Sequence, residues 1–179
     1  MMTLVVGGAA SGKSEYAERL VVHAGETPRV YIATMQPFDQ ESLRRIDKHR
    51  RMRAEKHFET LECYTNLASA QVPAGSTVLL ECVSNLCANE IYSPDGSGEN
   101  AAQAIRRGVE HLRGRCGELI VVSNELFSGG SIYEGDTLRY LKVLGQVNRE
   151  LAAMADDVCE VVCGIPCWYK GGERFYDLV

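Results

Sequence analysis

The stretch Gly7-Gly8-Ala9-Ala10-Ser11-Gly12-Lys13-Ser14 follows the apolar run Leu4-Val5-Val6 and leads into Glu15-Tyr16-Ala17-Glu18-Arg19-Leu20, so a strand, a small-residue turn and an amphipathic helix come in immediate succession. Few folds accommodate that order. The spacing G-x-x-x-x-G-K-S lets backbone N–H groups close around a phosphate, gives the terminal phosphates a positive charge from Lys13 and offers the Ser14 hydroxyl to Mg²⁺. The positive end of the following helix adds to the same field. The alternative is a Gly-rich turn with a chance Lys-Ser, and the flanking strand and helix favour the phosphate site. Many proteins hold a nucleotide this way, so the stretch alone names no reaction.

Further along, short apolar runs at 4–6, 30–33, 78–80, 119–122 and 158–163 alternate with helical patterns at 13–24, 40–53, 100–113 and 138–155. That alternation predicts an α/β fold, a mostly parallel sheet with flanking helices. Several runs are continuously apolar, as strands buried on both faces require. Leu141, Leu144, Val147, Leu151 and Met154 keep helical spacing and make 138–155 amphipathic. Residues 93–98 and Ser128-Gly129-Gly130 read as loops.

A chain of 179 residues buries one sizeable core, so a single domain over 1–179 is expected, with 164–179 as a C-terminal extension. No apolar run reaches the roughly 20 residues of a membrane helix, and "MMTLVV" lacks the pattern of a secretory signal, so a cytoplasmic location without a membrane span is expected. The net charge of −5 disfavours nucleic acid as a partner. Seven cysteines fit reduced thiols. Cys159, Cys163 and Cys167 lack the paired C-x-x-C signature of a metal site and are expected to be buried as small apolar residues.

A phosphate loop usually works with an acidic residue at the end of a neighbouring strand. Glu81, after Val78-Leu79-Leu80, fits that role or simply faces solvent; spacing leaves both open. Glu125, after Val121-Val122-Ser123-Asn124, ends another strand on the edge where open α/β sheets bind ligands. Arg44-Arg45-Ile46-Asp47-Lys48-His49-Arg50-Arg51-Met52-Arg53 is the one dense basic stretch, and on a helix Arg45, His49 and Met52 or Arg53 share a face. A neutral imidazole attacks phosphorus, and surrounding cations favour the neutral form while attracting a triphosphate. A solvated basic helix with an incidental histidine is the plainer alternative. His23, His57 and His111 read as surface or structural histidines.

Together these stretches, with Tyr31-Ile32-Ala33-Thr34, Leu79-Leu80-Glu81-Cys82, Asn89, Val122-Ser123-Asn124-Glu125 and Gly145-x-Val147-Asn148-x-x-Leu151-Ala152-x-x-Ala155-Asp156, resemble the bifunctional adenosylcobinamide kinase / adenosylcobinamide-phosphate guanylyltransferase family of cobalamin biosynthesis. The resemblance runs from Leu4 to about Gly164, and the R-I-x-x-H-R and V-x-N-E stretches are its most specific parts. It implies a P-loop NTPase-like, RecA-like fold and two activities: phosphorylation of the adenosylcobinamide hydroxyl with ATP or GTP, then transfer of GMP from GTP to that phosphate. The intermediate it implies is a guanylylated His49, which turns the basic helix toward the nucleophilic alternative. It also implies Mg²⁺ at Ser14 and Glu81, and a nucleotide site of Gly7, Gly8, Ala9, Ala10, Ser11, Gly12, Lys13, Ser14, Thr34, Arg45, Arg50, Arg53, Glu62 and Glu81. Asn124 and Glu125 fall on the corrinoid side, and a homotrimer is implied.

Two stretches depart from the pattern: 126–137, "LFSGGSIYEGDT", is altered and a little longer, and the tail "WYKGGERFYDLV" runs beyond the usual end. Both leave room for a different corrinoid or a weakened kinase activity. Two other functions stay open at this level, a P-loop small-molecule kinase of another pathway and a nucleotide-binding regulatory protein without turnover.

Overall fold

The computed structural model describes residues 1–37, 39–129 and 133–178, with the backbone alone for Ser42, Arg45, Lys48, His49 and Met52. Its strands are β1 (Met2–Gly7), β2 (Arg29–Ala33), β3 (Phe58–Glu62), β4 (Thr77–Glu81), β5 (Glu118–Asn124), β6 (Asp157–Val162) and β7 (Ile165–Lys170). Its helices are α1 (Lys13–His23), α2 (Gln40–Arg53), α3 (Val83–Tyr92), α4 (Ala101–Arg113) and α5 (Gly135–Met154).

The strands form one sheet in the order β3-β2-β4-β5-β1-β6-β7. All neighbours are parallel except β6 and β7, which form an antiparallel hairpin. Side chains alternate across a strand. Leu4, Ile32, Leu80 and Val121 therefore enter the core with α3, α4 and α5, while Val5, Tyr31, Leu79 and Val122 enter the core with α1. Two buried faces explain the continuous apolar runs of the sequence. The helices supply matching stripes: Ile105, Val109 and Leu112 on α4, Leu144, Val147 and Leu151 on α5, Tyr16, Ala17, Leu20 and Val21 on α1. Each Val, Leu or Ile among them, fully buried, contributes about 1.5–3 kcal/mol.

Three elements go beyond the sequence expectation. The strand β3 is half exposed and carries Glu59 and Thr60, so its apolar signal is weak; β7 begins Ile165-Pro166, and proline is tolerated there because the strand is an edge. The helix α3 starts directly after Cys82, where no polar linker separates strand from helix. The expected strand 158–163 ends at Val162, with Cys163 in the hairpin turn. The expectation of three buried cysteines holds for Cys159 alone: Cys163 and Cys167 are exposed, because the turn and the outer face of β7 have nothing packed over them among the described residues.

The tail is tied to the body. Trp168 stacks on Phe175 at 5.3 Å, meets Tyr16 edge-on at 6.4 Å, and Arg174 pairs with Asp157 and Glu118. His23 lies edge-on to Phe175 and His111 contacts the Ala70 carbonyl at 3.1 Å, as structural histidines do. Among the described residues no helix is long and apolar enough to cross a membrane.

Candidate active site

Parallel pairing brings the C-terminal ends of the strands to one edge. Ala33 lies opposite both Glu62 and Glu81, Glu81 opposite Val122, and Gly7 opposite Asn124. Ligands of open α/β sheets bind at this edge.

The phosphate loop leaves β1 and closes on α1 through Gly12, whose φ of +91° is a conformation that a Cβ disfavours. Lys13 turns back so that Nζ donates to the Gly8 carbonyl at 2.9 Å. Burial lowers its pKa from the ordinary lysine value, with Cys82 and Glu81 acting in the opposite sense. The Ser14 hydroxyl donates to Glu81 Oε1. Glu81 is only 8% exposed and receives a second hydrogen bond, from the Tyr31 hydroxyl to Oε2 at 3.2 Å. Glu81 is therefore turned toward Ser14 and away from solvent.

Beside Glu81 opens a cavity of ≈ 190 Å³ between α2 and the ends of β2, β3 and β4. Leu43, Ile46 and Pro37 form its apolar side, and Arg50, Arg53 and Glu62 its charged side. Arg50 pairs with Glu62 at 3.3 Å in an exposed contact, which carries little stability. Arg53 is 6% exposed, and its guanidinium carbon sits 3.3 Å from the centroid of the Tyr31 ring. Its buried Nη1 has no hydrogen-bond partner among the described residues. A ligand acceptor would satisfy that donor.

The cavity rim is knitted by polar contacts. Thr34 Oγ1 accepts from the Cys82 N–H at 2.8 Å and donates to the Cys82 carbonyl at 2.9 Å. Asn89 Nδ2 donates to the carbonyls of Thr34 and Tyr64, at 2.8 and 2.9 Å.

Residues 7–14, Arg50, Arg53, Glu62 and Glu81 thus gather at one edge, with Thr34 behind the rim as a strand clamp. Asn124 Nδ2 donates to Ser84 Oγ at 2.6 Å, and the Glu125 N–H donates to the Gly7 carbonyl at 3.0 Å. The Glu125 carboxylate is taken up by its own loop, accepting from the Phe127 N–H and the Ser128 hydroxyl. The backbone of α2 carries Arg45 and His49, whose side chains lie outside the described residues, as do Gly130 to Ile132 of the altered loop. Sequence reasoning gave no role to Tyr31, Tyr64 or Asn85, all of which line the cavity; the Tyr31-Ile32-Ala33-Thr34 stretch was the available signal for the first.

Oxygen donors from Ser14 and Glu81 suit Mg²⁺, which binds through one or two protein groups plus phosphates and water. Among the described residues no cluster of three or more His, Cys, Asp or Glu side chains could hold a metal.

Comparison with known proteins gives the site its context. Residues 3–168 match the family model for cobinamide kinase / cobinamide phosphate guanyltransferase, CobU. The chain is 36% identical to the bifunctional adenosylcobalamin biosynthesis protein CobU of Escherichia coli K12, over 92% of this chain and 97% of that protein. It is 34% identical to the bifunctional adenosylcobalamin biosynthesis protein CobP of Pseudomonas aeruginosa, over 96% and 98%. Among solved structures, the flagellar accessory protein FlaH from Methanocaldococcus jannaschii superposes with a TM-score of 0.45 at 12% identity, covering 94% of this chain and 77% of that one. With the match extending over nearly the whole chain, it belongs to the cobinamide kinase / cobinamide phosphate guanyltransferase family.

Proposed function

We propose that the chain phosphorylates the hydroxyl of adenosylcobinamide with ATP or GTP and then transfers GMP from GTP to that phosphate, giving adenosyl-GDP-cobinamide and pyrophosphate. The observation that carries this is the Ser14–Glu81 contact, which joins the phosphate loop to a cavity walled by the helix that bears His49. Family membership supplies the acceptor.

In the first transfer, the substrate hydroxyl attacks the γ-phosphorus, the bond to the bridging oxygen breaks, and a nucleoside diphosphate leaves. Lys13 and the loop amides of residues 7–14 stabilise the charge on the leaving group. In the second transfer, a ring nitrogen of His49 attacks the α-phosphorus of GTP and pyrophosphate leaves. An oxygen of the cobinamide phosphate then attacks the same phosphorus and the His49 nitrogen is released. Arg45, Arg50 and Arg53 attract the triphosphate, Thr34 and Glu62 shape the nucleotide pocket, and Asn124 and Glu125 face the corrinoid. Ser14 and Glu81 would hold Mg²⁺, which when bound neutralises phosphate charge.

Incubation with α-labelled GTP and Mg²⁺ is expected to leave acid-labile label on the protein, lost in His49→Ala. An unlabelled wild type, or label retained in His49→Ala, overturns the histidine route. A homotrimer and a cytoplasmic location complete the proposal, on the strength of the family pattern; a monomeric mass by light scattering would count against the first, and recovery of the native protein in the membrane fraction against the second.

A further inference from the structure

We infer that Tyr31 is a positioning residue that holds the Glu81 carboxylate beside the phosphate loop with its hydroxyl and seats Arg53 in the cavity with its ring. This rests on the function proposed above.

Tyr31 is 5% exposed, two residues before the end of β2, while Ala33 at that end lies opposite Glu81. At about 3.3 Å per residue, two strand residues span about the length of a tyrosine side chain. The phenol therefore reaches forward to the carboxylate, and Oη donates to Oε2 at 3.2 Å. The other carboxylate oxygen takes the Ser14 hydroxyl. On its face the ring carries the Arg53 guanidinium at 3.3 Å, and Phe58 lies edge-on to the ring at 6.2 Å and 84°. One side chain thus touches a cavity cation and the carboxylate of the phosphate site.

Packing alone requires no hydroxyl here, since phenylalanine would fill the same space. A buried phenol needs a partner, and Glu81 supplies it.

The two roles separate by mutation. Tyr31→Phe removes the hydroxyl and keeps the ring, so kcat for pyrophosphate release from GTP in the presence of adenosylcobinamide phosphate should fall about tenfold, the scale of one hydrogen bond to a charged group. Its GTP affinity by calorimetry should stay within about twofold. Tyr31→Leu removes the ring as well and should also weaken GTP binding roughly three- to tenfold, the range of a cation–π contact. Arg53→Met should weaken GTP binding as much, and Tyr31→Leu should add nothing to it. Combined with Glu81→Gln, Tyr31→Phe should add less than about a twofold loss, because both act through one carboxylate. Thermal melts identify any variant that fails to fold, and the Phe and Met variants then carry the test.

Wild-type kcat in Tyr31→Phe, additive losses with Glu81→Gln, or equal GTP affinity in the Phe and Leu variants would overturn the assignment of Tyr31. An impaired Glu81→Gln beside a normal Tyr31→Phe overturns that assignment alone, whereas a fully active Glu81→Gln overturns it together with the Glu81 role in the proposed function. Absence of covalent label leaves the binding comparison of the Phe, Leu and Met variants intact, so failure of the histidine route is read separately.

Discussion

The backbone N–H of Gly164 donates to the carbonyl of Ser11 at 2.8 Å, bracing the phosphate loop with the turn between β6 and β7. A Cβ on Gly12 would come within 3.2 Å of the Gly164 Cα, so the two backbones meet closely. Gly164 has a φ of +81°, and a Cβ there would meet nothing within 4 Å. The cost of replacing it is therefore conformational. Gly164→Val should lose about 1–2 kcal/mol in chemical denaturation and weaken GTP binding. Gly164→Asn, which tolerates that region, should recover most of both. Equal losses in the two variants would contradict the account.

Lys13 gives a pH dependence with two opposite signs. Burial lowers its pKa below the ordinary 10.5, so in the interval between the lowered value and 10.5 the unfolded chain binds more protons than the folded one. The Lys13 contribution to stability therefore rises with pH across that interval and is lost as pH falls through the lowered pKa. Affinity for a triphosphate runs the other way, falling as the ammonium loses its proton. In Lys13→Met both trends should disappear, as titrated denaturation and GTP binding over the alkaline range will read.

Glu18 on α1 is fully buried and pairs with Lys56, just beyond α2; its Oε1 has no hydrogen-bond partner among the described residues. Lys56→Met leaves that carboxylate without its cation and should cost about 3–5 kcal/mol. Adding Glu18→Gln should restore a substantial part, since the uncompensated charge is then gone. Urea denaturation of the single and double variants checks this, and a double variant weaker than Lys56→Met contradicts it.

Asn89 holds two carbonyls at the cavity rim with one amide nitrogen. Asn89→Ala should cost about 1–3 kcal/mol of stability for the lost pairing. Because Tyr64 is one of the residues held and lines the cavity, KM for GTP should rise more than kcat falls. Steady-state kinetics with an unchanged KM would show that the clamp serves the fold alone.

The strands β1, β2, β4 and β5 were legible because a strand buried on both faces writes itself as an apolar run, and β6 was legible from Val158, Cys159, Val161 and Val162 although only one of its faces is fully buried. The edges β3 and β7 were not, since Glu59, Thr60 and Pro166 break such a run and only tertiary pairing makes them strands. In the candidate site, the turn at 7–14 between β1 and α1 was legible from spacing, because a strand-to-helix turn of this kind is a local feature. Glu81 was legible as a candidate, but its burial and its contact with Ser14 were not, since both depend on how β4 packs beside α1. The cavity was illegible, because Arg53 reaches Tyr31 only through the return of the chain from α2 to β3 alongside β2.

Strand β1 precedes both of its partners, β5 and β6, in the chain, and the Met2 N–H donates to Asp156 at 2.8 Å. Strand β1 must therefore stay apolar and unpaired until β5 and β6 have been made. Its phosphate loop then gains the Gly164 brace only after β6 has been made. A nascent chain of this kind is at its most aggregation-prone just before it becomes able to grip a nucleotide.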